Sequence, residues 1–463
     1  MHVAPPNQNP LFSFHVYLLR RRVSVCAKSR NLHGGNLETT REEYESITRT
    51  QLETLSTKIR FLTAMESELK DMNPNPPSSS KEDRPLLKSE SDVSAAIEEL
   101  DKKFAPFARK DLYGTMGLGP FPTAEKVKLA VAMVTLVPVR FVLAMSILVL
   151  YYLVCRVFTL FSSPYRGGEE EEEEEEGGGV VQEDYAHMEG WRRVVIVRCG
   201  RFLSRVLLFV FGFYWIPESC PDRDSAADSS PKTSSSEIAE NGETDKEEPE
   251  RPGVIVSNHV SYLDILYHMS ASFPSFVAKR SVGKLPLVGL ISKCLGCVYV
   301  QREAKSPDFK GVSGTVNERV REAHRNKSAP TIMLFSEGTT TNGDYLLQFK
   351  TGAFLAGTPV LPVILKYPYE RFSVAWDTIS GARHIIFLLC QFVNHLEVIR
   401  LPVYYPSQEE KDDPKLYASN VRRLMATEGN LILSDLGLGD KRIYHATLNG
   451  NLRQLRVFHQ KEE

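Results

Sequence analysis

Several common chemistries have no footing in this sequence. Its seven cysteines are odd in number and too scattered for a disulfide framework; those inside apolar stretches read as small buried hydrophobes. Cys294 and Cys297 have C-x-x-C spacing. No second such pair and no His pair completes a zinc site, and no thioredoxin-like context surrounds them, so no metal is expected. A serine lipid hydrolase lacks its G-x-S-x-G elbow, because Gly311-Val312-Ser313-Gly314 has the wrong spacing. There is no D-x-D-x-D-G-x5-E loop for calcium and no nucleic-acid-binding motif. Acidic residues are missing from the first 37 positions, which carry the run Arg20 to Arg22 and only a weak apolar stretch. That composition is transit-like, but no signal-peptide cleavage site accompanies it. Met65 opens a hydrophilic segment suited to an alternative start.

What is present divides the chain into segments of contrasting composition. Residues 1–98 form an extension expected to be disordered, with Pro, Ser and charge concentrated between Asn73 and Ser91. A juxtamembrane segment, 99–125, precedes a membrane helix placed at 126–162. Its centre, Phe141 to Cys155, is fifteen uncharged residues bracketed by Arg140 and Arg156. Both arginines are expected to snorkel toward the two interfaces of a hydrocarbon layer about 30 Å thick. The Glu-rich stretch Glu169 to Glu176 marks residues 163–190 as a solvated acidic loop. Residues 191–217 read as a second membrane-associated helix, with Arg198, Arg201 and Arg205 on one face ahead of an apolar run. An acidic, Ser-rich insertion, 218–252, is expected to be disordered.

The folded catalytic part is placed at 253–430, followed by a tail at 431–463. Short β-branched runs at Val254 to Val256, Val298 to Val300, Thr331 to Phe335 and Val360 to Leu365 alternate with helix-like segments at Leu263 to Met269 and Val316 to His324. The alternation predicts an α/β fold. A further helix is expected around Val421 to Met425. Although the net charge is only -2, Gly253 to Lys366 holds thirteen Lys or Arg against seven Asp or Glu. That local balance suits an anionic substrate or a membrane surface.

Four elements in this part can carry chemistry. Asn258-His259 and Asp264 lie between a strand and a helix. Residues five apart do not meet on a regular helix, so His259 must sit in the preceding turn for Asp264 to reach its Nδ1 and leave Nε2 to take an alcohol proton. His268 competes, since Asp264 and His268 are i and i+4. As a trio these residues could also serve a metal hydrolase, but a further ligand is not found. Gly296 to Arg302 delivers an arginine at a strand end, and its planar fork suits a phosphate. Glu337-Gly338-Thr339 follows a buried strand and places a carboxylate, backbone N–H groups and hydroxyls at one mouth. Thr358 to Val363, with Pro359 and Pro362, reads as a strand at an edge or beside a groove.

In order and spacing these elements resemble the glycerolipid acyltransferase family, with its N-H-x4-D, G-x5-R, E-G-T and V-x-P blocks. The resemblance implies a mixed sheet flanked by helices, joined to N-terminal membrane helices. It implies acyl-CoA as co-substrate with no cofactor, a lysophospholipid acceptor, and contact with membrane lipids. It implies His259 and Asp264 as a dyad without a covalent acyl-enzyme, Arg302, Glu337, Gly338 and Thr339 gripping the acceptor, and Pro362 shaping the acyl groove. An endoplasmic reticulum membrane location, with the site near the cytosolic face, is expected. Family members acting on lysophosphatidic acid often read F-P-E-G-T-R, whereas Ser336 and Thr340 stand here. Loss of that arginine favours an acceptor with a larger head group. Thr340 to Gly343 and the segment from Phe104 to Gly114 resemble the lysophosphatidylcholine and lysophosphatidylethanolamine branch, closest to the plant enzymes for lysophosphatidylethanolamine. A membrane scaffold that keeps the fold without catalysis is the non-enzymatic alternative.

Overall fold

The computed structural model describes residues 98–167, 182–221, 251–300 and 308–449. Residues 1–97, residues 168–181 of the Glu-rich loop, residues 222–250 of the Ser-rich insertion and Arg302 lie outside the described residues, whereas Glu218 and Ser219, expected to be disordered with that insertion, form a strand against Val398 and Ile399.

Seven strands form one mixed sheet: β1 (Glu218–Ser219), β2 (Val254–Ser257), β3 (Ser275–Lys279), β4 (Val298–Val300), β5 (Ile332–Leu334), β7 (Val360–Lys366) and β8 (Glu397–Arg400). Their spatial order is β1-β8-β7-β2-β5-β3-β4. All neighbours run parallel except β7 and β8. Two short strands, β6 (Tyr345–Leu346) and β9 (Ile432–Leu433), pair separately and in parallel. All four strands expected from the sequence are present, because continuous β-branched runs suit strands covered on both faces.

Both faces of the sheet are indeed covered. Ile255, Met333, Val363 and Leu365 face one apolar cluster, and Val254, Val256, Ile332, Val360 and Ile364 face the other. The first cluster gathers α1 (Thr123–Phe158), α2 (Trp191–Val210), α3 (Leu263–Ala271), α4 (Val288–Leu295) and α6 (Gly381–Cys390). On the opposite face lie α5 (Asp308–Arg325) and α7 (Pro414–Gly429), through Val316, Val320, Tyr417, Val421 and Met425. Each fully buried aliphatic side chain in these layers contributes about 1.5–3 kcal/mol relative to exposure.

Among the described residues α1 is the one helix long and apolar enough to cross a membrane. Its apolar exposure runs from Val127 and Val131 to Leu153 and Val157, well beyond the fifteen-residue stretch bracketed by arginines. Arg140 does not snorkel. It is buried, and its guanidinium donates to the carbonyls of Leu389 (3.1 Å), Gln391 and Phe392 (2.9 Å). Carbonyls left unpaired at the C-terminal end of α6 attract it more strongly than a distant interface.

Of the two positions expected for the Pro362 strand, an edge or beside a groove, the edge is not found. β7 is interior, and Pro362 lies opposite Val256. Its missing N–H is tolerated because β8 ends at Arg400, and the next residue, Leu401, donates to the Pro362 carbonyl at 3.1 Å. Residues 431–449 of the expected tail instead supply β9 and, last among the described residues, the helix α8 (Leu438–Asn449).

Candidate active site

Three adjacent parallel strands, β7, β2 and β5, end at the same edge of the sheet, so the loops that follow them converge. Ligand sites of open α/β sheets form outside such carboxyl ends. Asn258 is the hinge of this arrangement. Its side chain stands in for a backbone amide, donating to the Leu365 carbonyl at 2.9 Å and accepting from the Leu365 N–H at 2.8 Å. The turn that follows therefore leaves β2 while still clasped to β7.

In that turn His259 Nδ1 lies 2.8 Å from Asp264 Oδ2. The same carboxylate oxygen accepts the backbone N–H groups of Val260 (2.8 Å) and Ser261 (3.0 Å). The Tyr367 hydroxyl donates to Asp264 Oδ1 at 2.6 Å. Asp264 is fully buried. Its hydrogen bonds all come from donors, which suits a carboxylate and fixes the proton on His259 Nδ1. Nε2 is the ring nitrogen that Asp264 does not hold. The imidazole plane is fixed by stacking on Phe335, with centroids 3.9 Å apart and planes at 14°.

The competition between His259 and His268 is settled by the bend. His268 is buried and its Nε2 has no hydrogen-bond partner. Burial pushes the His268 imidazole down to about 3, so it stays neutral.

Glu337 braces the histidine turn from the β5 side. Its carboxyl is buried and accepts from His259 N at 2.7 Å and Leu347 N at 2.8 Å. Burial pushes this carboxyl up to about 8, against the pull of the two backbone donors. It is turned inward, away from the mouth where the sequence pattern placed it. Gly338 takes a left-handed φ of 73°, a conformation that favours glycine, and the end of the Lys350 side chain lies over it. Thr339 is half-buried beside it. Thr341 closes the frame, its N–H donating to the His259 carbonyl at 2.9 Å. Asn258, His259, Asp264 and the Glu337 to Thr339 turn are thus brought together, whereas Pro362 stays within the sheet.

Three contributors carried no sequence signal. Tyr367 follows the V-x-P strand, and Phe335 precedes the E-G-T turn. Lys441 comes from α8 and donates to the Thr340 carbonyl (2.8 Å), Thr340 Oγ1 (2.6 Å) and the Trp376 carbonyl (3.2 Å). Burial brings its ammonium down to about 8. A cation therefore sits beside Thr340, where family members acting on lysophosphatidic acid carry arginine, although it belongs to a distant part of the chain.

A family model described as Acyltransferase matches residues 237–366. Lysophospholipid acyltransferase LPEAT1 of Arabidopsis thaliana is 87% identical over 400 residues, which are 86% of this chain and 100% of that protein. The chain belongs to the glycerolipid acyltransferase family. Membership makes it an O-acyltransferase. Lysophosphatidylcholine acyltransferase 1 of Danio rerio is 33% identical over 72% of this chain and 55% of its own length. A crystal structure of the 1-acyl-sn-glycerophosphate acyltransferase PlsC from Thermotoga maritima aligns over 51% of this chain and 81% of that one, with 17% identity and a TM-score of 0.31.

Proposed function

We propose that the protein transfers a fatty acyl group from acyl-CoA to the free glycerol hydroxyl of a lysophospholipid, with lysophosphatidylethanolamine the favoured acceptor. The reaction takes place at the endoplasmic reticulum membrane, on its cytosolic side, and needs neither metal nor cofactor. The observation that carries this reading is the His259–Asp264 pair, held at 2.8 Å with the carboxylate buried.

His259 Nε2 takes the acceptor's hydroxyl proton as the oxygen attacks the thioester carbonyl carbon. The C–O bond forms, the C–S bond breaks, and the imidazolium returns its proton to the departing CoA sulfur. Asp264 stabilises the imidazolium between these two transfers. Glu337 is a positioning residue, because its carboxyl holds the backbone of His259 and does not face the acceptor. Glycerol and phosphate would meet the Gly338-Thr339 turn and Arg302. The acceptor preference is supported by the names of the relatives and by Thr340, which leaves the turn without an exposed arginine fork. Lys441 makes three hydrogen bonds within the protein, so it adds positive potential beneath the turn and no fork to grip a bare phosphate monoester.

CoA release from membranes holding the protein, measured with a panel of lysophospholipids, tests the reading. His259→Ala is expected to lower kcat by about 10²–10⁴-fold with every acceptor, while chelator leaves the wild-type rate unchanged. Wild-type turnover by His259→Ala would remove the histidine from the chemistry, and chelator-sensitive turnover would point to a metal hydrolase instead.

A further inference from the structure

Beside the catalytic turn, on the sheet face away from the apolar membrane helix, lies a cavity of about 510 Å³. Its polar lining is Gln348, Lys350, Thr351, Lys415, Ser419 and Arg422. Three cations and two hydroxyls converge there, and no lining residue is acidic. The size falls in the usual range for a small-molecule site.

The cavity is joined to the site by short backbone links. The Leu347 N–H holds Glu337, and the Lys350 N–H donates to the Ser336 carbonyl at 2.8 Å. The Lys350 ammonium lies directly over Gly338. Arg422 is fixed in orientation, since its Nη2 donates to the carbonyls of Leu346 (3.0 Å) and Ser434 (2.7 Å). The exposed Asp435 carboxylate lies 3.8 Å from it, and the buried Glu337 carboxyl acts on it from the side of the catalytic turn. Lys415 is in the first turn of α7, whose N-terminus is capped by Asp413.

We propose that this groove binds the phosphates at the nucleotide end of the acyl donor, the 3′-phosphoadenosine diphosphate of coenzyme A. This rests on the acyl-CoA reading above and extends it. A donor lying across the site would keep its acyl chain on the side of α1 and α2, where apolar surface is exposed, and its charged nucleotide on the aqueous α7 side. Phosphate on a lipid head group offers the same chemistry, and kinetics separate the two sources.

The test uses full-length protein in detergent micelles and two variants at exposed positions, Lys415→Glu and Ser419→Glu. KM is measured for acyl-CoA, for acyl-pantetheine, which lacks the nucleotide, and for the lysophospholipid. For each variant the acyl-CoA KM is expected to rise about tenfold, with kcat, acyl-pantetheine KM and lysophospholipid KM unchanged. Adenosine 3′,5′-bisphosphate should compete with acyl-CoA on the wild type and lose potency on the variants by a similar factor. Equal KM rises for acyl-CoA and acyl-pantetheine would overturn the subsite. So would a rise confined to the lysophospholipid, which marks a head-group site, or no change in any constant. A wild type that releases no CoA from any acyl-CoA defeats the donor reading itself, a result separate from these.

Discussion

His259 and His268 show how differently one residue type behaves when its surroundings change. The first is anchored at Nδ1 by a carboxylate and is partly exposed; the second is buried, with no hydrogen-bond partner at Nε2. The buried histidines have a consequence for stability. His268 is pushed down to about 3 and His384 to about 4, both by burial. Unfolded, each binds a proton near 6.5. Below that pH the unfolded chain holds more protons, so stability is full above 6.5 and falls as pH drops toward 4 and 3. Glu337 has the opposite sign of dependence. Its carboxyl is raised to about 8 from 4.5, so its contribution is full below 4.5 and is lost as pH rises through 8. Thermal midpoints across pH should show an acid limb that His268→Leu flattens and an alkaline decline that Glu337→Gln flattens. Curves unchanged in shape by either variant would contradict these assignments.

Elements far apart in sequence hold the catalytic loops, which is where sequence reading runs out. The motifs were legible because each is a local strand-to-turn pattern, and all four expected strands formed. Geometry created by contact between remote segments was not. The segment from Phe104 to Gly114, recognisable only as a branch signature, straps the E-G-T turn. Asn342 Nδ2 donates to the carbonyls of Ala105 (2.9 Å) and Ala108 (3.0 Å), and Arg109 is buried between Asp111 and Asp377. Two remote parts of one branch signature thus meet in space. Of the two positions that the Pro362 strand suggested, an edge or beside a groove, the edge was not taken, because a proline's missing donor says nothing about where the neighbouring strand stops. Arg140 was expected to seek an interface because no linear pattern foretells the end of α6. The clasp it makes should matter. Arg140→Leu leaves the carbonyls of Leu389, Gln391 and Phe392 without their donor in an apolar setting, at an expected cost of about 2–4 kcal/mol. A lowered melting midpoint in detergent checks it, and an unchanged midpoint would show that α1 is held by packing alone.

Among the described residues the sheet separates a layer containing α1 from a layer containing α7, each with its own apolar cluster, and the reactive turns lie at the sheet's carboxyl edge. Completion of that edge depends on α8. Besides Lys441, its Tyr444 hydroxyl donates to Asp101. A chain ending at Leu436 keeps every sequence motif, and its CoA release is expected to fall by at least about 100-fold. Full activity in that truncated chain, at matched expression, would remove α8 from the working site.

Lys441 reaches Thr340 across 101 positions of chain, and this imposes an order of events during synthesis. Helix α1 and all four motifs leave the ribosome well before Lys441, whose ammonium meets Thr340 beside the E-G-T turn. All strands of the seven-stranded sheet are therefore synthesised while Thr340 still lacks its Lys441 contact. If the truncated chain proves inactive, catalytic competence arrives only with α8, the last element made among those described.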